Sequence, residues 1–408
     1  MKIYVYAGWM EDALIGVVNV VRGNGKETIS FEYSEGWLKD YAELFLDPDI
    51  SAFSGRQYLS SGKSLFGMLS DVCPDRWGRK LIQRREELQA YREHRAKRHL
   101  YEMDYLISIA DYLRTGGLRF KSSPDGDYMA ELGKFDVPPI TELRRLEQAS
   151  LNYEFSDDPY ELKWFSQLVS PGSSLGGARP KANIKHTDGS LWIAKFPSKF
   201  DDVDIGAWEY VTHELALMCG LNVPEAMVEK FSSYGSTFMV KRFDREKDRR
   251  IHFATAMTML GARDGTSEEY SYLDIAEFIS SYSRRPLRDL EELFRRIAFS
   301  IAVSNHDDHL RNHGFLLRSQ GWGLSPAYDI NPSLDNSEYL SLNISLDSRL
   351  SSFDVLQDTL EFYHLNETRG KEIISEVRDI VSSNWIKQAR QSGIAEAEIK
   401  RMRLCFEK

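Results

Sequence analysis

Apolar residues recur at helical spacing over residues 291–303, and a short apolar run follows at 315–317. The apolar face of the first segment is formed by Leu293, Phe294, Ile297, Ala298 and Ile301. This spacing predicts a buried helix, and the later run predicts a short strand. Gly-Trp-Gly at 321–323 predicts a turn. The polar residues between helix and strand therefore lie in a loop between two apolar elements.

A similar order of elements is predicted farther upstream. Residues 191–196 predict a strand, and residues 235–245 predict a second strand that emerges into a charged stretch. The helix expected between them carries one apolar face and ends before Gly220, with Pro224 beyond as a stop. That face is formed by Trp208, Val211, Leu215 and Met218. Strands and helices thus alternate before the polar loop.

The polar loop carries chemically competent side chains at a spacing that kinases use. Its sequence is Ser304-Asn305-His306-Asp307-Asp308-His309-Leu310-Arg311-Asn312, and Asp329 follows 22 positions after Asp307. In phosphoryl transfer the protein orients a hydroxyl, holds magnesium on the ATP phosphates and offsets charge. We therefore expect Asp307 to accept or orient the hydroxyl proton. Asn312 and Asp329 would hold the metal.

Two other interpretations of this loop stay open on spacing alone. The first is a solvated surface loop, although five competent side chains within 306–312 make that an unusual turn; they are His306, Asp307, Asp308, His309 and Asn312. The second is a metal hydrolase, because imidazole and carboxylate ligands suit zinc, manganese or iron. Its ligands would be His306, Asp307, His309 and His313. The hydrolase hypothesis predicts no nucleotide loop elsewhere in the chain.

A candidate phosphate loop occupies residues 170–181, which are rich in glycine and serine. Such a segment brings backbone N–H groups close to phosphates. Gly172 and Gly177 fit the outer glycines of a Walker A loop, but Ala178 stands where its lysine belongs. A flexible turn is the alternative interpretation.

Lys195 is the candidate lysine for the ATP phosphates. In the strand it shares a face with Leu191 and Ile193, so it needs an anionic partner or an exit to solvent. Glu209 and Glu214 on the next helix are candidates for the Lys–Glu ion pair of kinases, and we favour Glu209. In the order of a kinase, the segment 235–245 lies where the adenine-binding hinge belongs.

These motifs resemble those of the HipA-family serine/threonine kinases, the toxin half of a bacterial toxin–antitoxin pair, over almost the whole chain. The family's phosphate loop resembles residues 174–181, its ATP lysine matches Lys195, and its R-F-D-R segment matches 242–245. Its N-x-D-x-H-x-K/R-N loop matches 305–312, and its Y-D motif matches 328–329. Pro74-Asp75-Arg76-Trp77-Gly78-Arg79 resembles a further family motif. The stretch 251–261 departs from the acidic sequence of better-known members.

The resemblance implies an α+β, two-lobed, protein-kinase-like fold with a small β-rich N-terminal subdomain and a mainly helical C-terminal lobe. Its N-terminal strands would lie at 3–6, 14–18, 29–33 and 37–38. We place the N-terminal subdomain at 1–110, the nucleotide-binding lobe at 111–245 and the helical lobe at 246–408.

The resemblance also assigns roles to single residues. Alignment with the family places Asp307, rather than Asp308, at the catalytic position, with Asn312 and Asp329 as metal ligands. The nucleotide-binding residues would be Ser174, Gly176, Gly177, Lys195, Glu209, Lys241, Phe243 and His309. Self-phosphorylation would fall on Ser174, with Ser173 as a close second.

As for function, the resemblance implies a kinase that uses Mg-ATP (ATP and Mg²⁺) to phosphorylate a protein serine, typically on an aminoacyl-tRNA synthetase, and so inhibits growth. A small DNA-binding antitoxin of the HipB type would be its partner, and DNA would be reached only through that antitoxin. The alternative is a catalytically weak binding module that represses transcription with the antitoxin.

Net charge and composition limit the expected partners and location of the protein. A formal net charge of −10 disfavours direct nucleic-acid binding by the whole molecule. Residues 79–99 are an exception, with eight Arg or Lys against three Glu, and are expected either as a solvated helical face or as a contact for DNA or an acidic partner. Three separated cysteines and no bilayer-length apolar stretch predict a cytoplasmic protein without membrane contact.

Overall fold

The computed structural model describes residues 1–129, 137–155, 168, 177, 179–247, 249–335 and 337–408. These residues form two compact units. Unit 1 contains Met1–Ala194 and Asp244–Ala254, and unit 2 contains Lys195–Phe243 and Thr255–Lys408. The three-part division expected from the sequence stays a prediction.

The elements are numbered in chain order. The strands are β1 Lys2–Ala7, β2 Ala13–Gly23, β3 Lys26–Tyr33, β4 Gln57–Tyr58, β5 Leu118–Lys121, β6 Lys181–Lys185, β7 Leu191–Lys195, β8 Ala226–Ser232, β9 Gly235–Lys241, β10 Arg245–Glu246, β11 Arg249–Arg250, β12 His252–Thr255, β13 Gly314–Arg318 and β14 Gly321–Leu324. The helices are α1 Glu35–Tyr41, α2 Gly67–Ser70, α3 Arg76–Arg92, α4 Glu102–Ile107, α5 Leu143–Phe155, α6 Ile205–Met218, α7 Ala256–Met259, α8 Tyr272–Tyr282, α9 Pro286–Ala302, α10 Phe353–Gln357, α11 Glu367–Gln391 and α12 Glu396–Phe406.

Unit 1 begins with a five-stranded antiparallel sheet in the order β4-β3-β2-β1-β5. Alternate residues of β1, Ile3, Val5 and Ala7, are fully buried, as a half-buried strand requires. The strands predicted at 3–6, 14–18 and 29–33 are confirmed. The strand predicted at 37–38 is wrong, because Ser34 accepts a hydrogen bond from the Trp37 N–H and starts helix α1.

The basic segment 79–99 lies on helix α3 and the loop after it. The helix buries Trp77, Leu81 and Leu88 in a core cluster with Ala149 and Leu168. Most of its neighbouring cations have acidic partners in the same segment or close to it: Arg79 with Glu102, Arg84 and Lys97 with Glu87, Arg95 and Arg98 with Glu86. These ion pairs support the solvated helical face, and not a nucleic-acid contact, for this segment.

Unit 2 is mainly helical and is organised around helix α9. Pro286 occupies the first turn of α9, where its missing N–H costs nothing. Leu290, Leu293, Phe294 and Ile297 are fully buried, which confirms the helix predicted from the apolar spacing. Helix α9 packs against α8 and α11, and α11 also packs against α6.

Two antiparallel hairpins complete unit 2, β8–β9 and β13–β14. The strand predicted within 235–245 is confirmed as β9, which ends at Lys241, and the one at 315–317 is confirmed as part of β13. The turn predicted at 321–323 is wrong, because Gly321 to Leu324 pair with Arg318 to Phe315. Gly321 and Gly323 are typical turn residues, so the sequence did not indicate a strand here. The strand forms because it pairs with β13 across a two-residue turn. Within the described part of the chain, no helix has the length and apolar content needed to cross a bilayer.

Candidate active site

The polar loop at 304–312 directly follows helix α9. At its end Ser304 adopts a left-handed conformation with φ of 51°, which turns the chain sharply away from the helix axis. The Ser304 hydroxyl donates to the Cys405 carbonyl at 3.0 Å, and the Asn305 N–H donates to the Ser300 carbonyl at 2.9 Å. A short 3₁₀ turn at Leu310–Asn312 closes the loop before β13. The loop is therefore anchored at both ends by buried structure.

Asp307 and Asn312 lie together in this loop. The Asn312 side-chain amide donates to the Asp307 carbonyl at 3.0 Å, and the His309 N–H donates to the same carbonyl at 2.9 Å. The Asp307 side chain itself is exposed. Its pKa is raised, first by partial loss of hydration and then by the negative charges of neighbours such as Asp329, with His309 opposing the shift. Asp307 thus presents an accessible carboxylate that is more basic than an isolated aspartate.

Asp308 lies in the opposite environment. Its carboxylate is buried and accepts hydrogen bonds from the Tyr272 hydroxyl at 2.7 Å and the Ser300 hydroxyl at 3.0 Å. His313 Nε2 lies 2.9 Å from its other oxygen. Burial alone would raise the pKa of Asp308, but the charge of His313 and these hydrogen bonds hold it below its usual range. Asp308 therefore has the surroundings of a structural residue.

Lys195 lies between two carboxylates. Its ammonium group contacts Glu209 Oε1 and lies 2.7 Å from Asp329 Oδ1. Glu209 comes from helix α6, and Asp329 from the segment after β14. Burial would lower the pKa of Lys195, but Asp329 and Glu209 together raise it well above its ordinary value. A permanent cation is thereby held at one carboxylate of the predicted metal site.

Glu209, the carboxylate favoured from the sequence, is thus the partner of Lys195 in the structure. The other candidate, Glu214, lies 3.3 Å from His213 Nδ1 on the same helix. Residues five apart on a helix differ in direction by about 140°, so only one of the two faces Lys195. The catalytic roles of these residues stay predictions.

The donor groups around Asp329 fit magnesium. Asp329 has a left-handed backbone with φ of 58°, and the Asn331 side-chain amide approaches its Oδ1 at 3.4 Å. Asn331 Oδ1 is buried and has no hydrogen-bond partner among the residues that the structure describes. Carboxylate and amide oxygens are the ligands that Mg²⁺ prefers. Asn331 was not assigned a role from the sequence, although its position two residues after Asp329 was a usable signal.

Two of the three histidines of the hydrolase hypothesis have carboxylate partners. His306 Nδ1 lies 2.6 Å from Asp335 Oδ1, and His313 packs against Asp308. Across the described ranges, no group of three or more His, Cys, Asp or Glu side chains is arranged to hold a metal ion. His309 keeps a buried Nδ1 without a hydrogen-bond partner among those residues. The hydrolase interpretation therefore finds no support in the geometry.

The expected hinge lies at the end of β9. The Lys241 ammonium lies 3.0 Å from Glu225, and the Lys241 N–H donates to the Glu225 carbonyl at 2.9 Å. The Phe243 ring lies 5.6 Å from the ring of Tyr328, the residue before Asp329. The Tyr328 hydroxyl donates to the Arg311 carbonyl at 2.6 Å, which links this segment to the polar loop at 304–312.

The candidate phosphate loop is described only at its end. Ser173, Ser174 and Gly176 lie outside the described residues, whereas Gly177 has a φ of 87° that favours glycine. Lys181 is buried and lies 3.0 Å from Asp75. The Trp77 indole donates to the Lys181 carbonyl at 3.0 Å. The Pro74–Arg79 motif thus anchors the strand that follows the loop.

Comparison with known proteins shows which protein family this chain matches. Residues 173–385, more than half of the chain, match the family model of the HipA-like C-terminal domain. A Haemophilus influenzae protein named "Putative kinase" is 29% identical over 197 residues, 42% of this chain and 57% of that protein. A Sinorhizobium fredii protein, named a kinase in the same way, is 26% identical over 233 residues, 53% of this chain and 55% of its own length. The chain therefore spans somewhat more than half the length of these relatives.

A solved structure shares the fold over nearly the whole chain. The Shewanella oneidensis HipA structure, a complex of HipA with HipB and operator DNA, matches with a TM-score of 0.69 and 17% identity. The match covers 99% of this chain and 94% of that one. The α+β, kinase-like fold expected from the sequence is confirmed.

Proposed function

We propose, since this chain belongs to the family of the HipA-like C-terminal domain, that it is a Mg-ATP-dependent serine/threonine protein kinase. The observation that carries the proposal is the Lys195 ammonium held between Glu209 and Asp329. Kinases need the lysine–glutamate pair and the metal aspartate in place together. A merely structural lysine would need only one partner.

Each residue then has a role. Lys195 aligns the ATP phosphates, and Glu209 fixes its position. Asn312 and Asp329 hold Mg²⁺, which when bound neutralises charge on the phosphates, and the orphan Asn331 oxygen is a further ligand. Gly176, Gly177 and Ser174 belong to the phosphate loop, Lys241 and Phe243 flank the adenine, and His309 faces the nucleotide.

Asp307 serves the acceptor hydroxyl. The serine oxygen forms a bond to the γ-phosphorus while the bond from that phosphorus to the β,γ-bridging oxygen breaks, and ADP leaves with the bonding electrons. The serine proton passes to the Asp307 carboxylate. An exposed carboxylate with a raised pKa suits this step, because it is accessible to a protein substrate and accepts a proton more readily.

Phosphate transfer from γ-labelled ATP tests the proposal. Asp307→Asn and Asp329→Asn should each lose several powers of ten in rate, since each tenfold corresponds to about 1.4 kcal/mol of barrier. Asp379→Asn, an exposed residue of helix α11, is the matched control and should keep the wild-type rate. Near wild-type transfer by both site variants would rule out this kinase assignment.

The biological setting is proposed from the same family membership. The HipA structure contains HipB and operator DNA, so we expect a small DNA-binding antitoxin of the HipB type as partner of this chain. DNA would be contacted only through it, consistent with the net charge of −10. The proposed target is a protein of the translation apparatus, an aminoacyl-tRNA synthetase, whose phosphorylation in the cytoplasm inhibits growth.

Peptide mass spectrometry after incubation with Mg-ATP and a bacterial lysate identifies the target. Phosphoserine should accumulate on a synthetase with wild-type protein and not with Asp307→Asn. Phosphopeptides that are unrelated to translation would keep the kinase and exclude this target. Growth inhibition that is equally strong with Asp307→Asn would favour a binding module that represses transcription instead.

Self-phosphorylation at Ser174, or failing that Ser173, would switch the kinase off. A phosphoserine adds about −1.5 to −2 charge at neutral pH, which repels the ATP phosphates. Fully phosphorylated protein should therefore bind ATP more weakly than the unmodified protein, and Ser174→Ala with Ser173→Ala should keep its activity over time. Undiminished ATP affinity of the phosphorylated protein would eliminate this mechanism.

A further inference from the structure

A pocket in unit 2 is lined by arginines and lies apart from the predicted catalytic residues. It encloses about 440 Å³ between the start of helix α9, the β13–β14 hairpin and the Asn222 loop. Its cations are Arg284, Arg285, Arg288 and Arg318. Lys195, Glu209, Asp307 and Asp329 do not line it. Phe243 is the one lining residue that also belongs to the predicted nucleotide site.

The acidic side chains of this arginine pocket have partners of their own. Asp289 accepts hydrogen bonds from the Ser283 hydroxyl at 2.6 Å and the Leu324 N–H at 2.9 Å. Glu292 accepts from Arg296 at 2.9 Å and from the Asn222 N–H at 3.0 Å. These two carboxylates therefore brace the pocket wall.

Three of the arginines lack such partners. Among the residues that the structure describes, no carboxylate lies within ion-pair distance of Arg284, Arg285 or Arg288. Burial lowers the pKa of Arg284, and the charges of Arg285 and Arg318 lower it further, with the more distant charge of Asp289 opposing the shift. Their guanidinium groups repel one another across the pocket.

The helix makes this repulsion worse. Arg285 is the N-cap of the 17-residue helix α9, Arg284 precedes it, and Arg288 lies in the first turn. The N-terminus of a helix carries a partial positive charge, so cations there are unfavourable and anions are stabilised. Three cations at this position cost stability unless an anion is bound between them. Asp289 also lies in the first turn, but its carboxylate already accepts two hydrogen bonds, so three cations stand against one acidic residue here.

Part of the pocket wall is apolar. Leu316, Leu324 and Pro326 also line the pocket, and its volume falls in the range of about 300–1,000 Å³ that is usual for small-molecule sites. Guanidinium groups bind phosphates with two parallel hydrogen bonds. We propose that this pocket binds a phosphorylated small molecule, with its phosphates on the arginines and its organic part on the apolar wall.

The direct test is calorimetric titration of the full-length protein with inorganic tripolyphosphate in the absence of magnesium. Lys195→Ala provides a background in which the catalytic nucleotide site is weakened. Arg284→Gln/Arg288→Gln removes two charges from the pocket. Arg378→Gln/Lys387→Gln removes two charges from the exposed face of helix α11 and controls for net charge.

In the Lys195→Ala background, the protein with and without the α11 control substitutions should bind one tripolyphosphate with similar affinity, and the wild type should bind at least that one. The pocket variant should bind about tenfold more weakly or worse, because each charge-assisted hydrogen bond that is lost weakens binding by about that factor. Equal binding by the pocket variant and the control, or absence of binding in the wild type, would overturn the proposal.

Two further arms identify the ligand class. A nucleoside diphosphate that binds Lys195→Ala more tightly than pyrophosphate would support an organic part on the apolar wall. A hexaglutamate peptide that binds while tripolyphosphate does not would show an acidic-peptide site and overturn the proposal.

Thermal unfolding of the pocket variant should occur at the wild-type temperature or above it, since mutual repulsion is relieved. A clear decrease would show that the arginines are structural and would also contradict the proposal.

Discussion

At the scale of single residues, the contrast between Asp307 and Asp308 decides how the site is interpreted. The two are adjacent in sequence and identical in chemistry, yet one carboxylate is exposed and the other is buried among Tyr272, Ser300 and His313. A buried carboxylate with three polar neighbours holds the loop in shape. An exposed one with a raised pKa is suited to chemistry on a second protein.

This contrast predicts that the two Asp→Asn variants behave differently. Asp308→Asn should lower the free energy of unfolding by roughly 3 kcal/mol, because it removes a buried carboxylate that accepts two hydroxyl hydrogen bonds and contacts His313. Asp307→Asn should abolish phosphate transfer and leave unfolding nearly unchanged. Chemical denaturation monitored by tryptophan fluorescence measures both. Equal destabilisation by the two variants would contradict the assignment.

The Asp308 effect should also depend on pH. Its pKa is lowered in the folded state, so the carboxylate stabilises the fold above the unfolded value of about 3.9. That contribution is lost as the pH falls through the lower folded pKa. The stability difference between wild type and Asp308→Asn should therefore be full at pH 7 and shrink below pH about 4. A difference that grows toward acidic pH would have the wrong sign.

At the scale of elements, helix α6 carries two glutamates that test the lysine site. Glu209→Gln should reduce phosphate transfer by about tenfold or more, since the Lys195 ammonium loses one of its two anionic partners. Glu214→Gln is the matched control on the same helix and should transfer at the wild-type rate. Steady-state rates at saturating ATP provide the comparison. Equal losses for both variants would place the effect in the helix and not in the ion pair.

Helix α3 carries a second element-scale prediction. The Glu86 carboxylate accepts hydrogen bonds from the Arg95 and Arg98 guanidinium groups and from the Arg98 N–H. The hydrogen bond from Arg95 is the main cause that lowers the pKa of Glu86 to about 2. The stabilisation is full above the unfolded pKa of about 4.3 and is lost as the pH falls toward 2. Glu86→Gln should loosen residues 93–98 at pH 7, which hydrogen exchange would report as faster exchange there. Glu87→Gln, whose contacts are longer at 3.3 and 3.4 Å, should change exchange far less.

At the scale of the whole molecule, bound Mg-ATP should stabilise the protein. A ligand at a hundred times its Kd raises the free energy of unfolding by about 2.7 kcal/mol. Asp329→Asn and Lys195→Ala should lose most of this effect, whereas Asp307→Asn should keep it because that residue serves the acceptor. Thermal shift with and without Mg-ATP measures it. Loss of the shift in Asp307→Asn alone would place that residue in nucleotide binding instead.

The sequence by itself determined the elements and the chemistry of the loop. Helical spacing over 291–303 predicts α9, because one apolar stripe must be buried whatever the rest of the chain does. The spacing of Asp307, Asn312 and Asp329 is likewise visible in the sequence alone, and it predicts a catalytic loop with its metal ligands. Local spacing failed at Trp37 and Gly321, where a capping serine and a cross-strand partner outweighed the apolar pattern.

Only the tertiary structure decided which side chains meet. Lys195 and Asp329 are 134 residues apart, and the choice of Glu209 over Glu214 depends on which face of α6 is turned toward that pair. Burial of Asp308 requires Tyr272 from α8, and the arginine pocket needs β13 and β14 beside the start of α9. Such contacts depend on how elements pack across long stretches of chain, and a periodic pattern records only that a residue is buried, not which residue it is buried against.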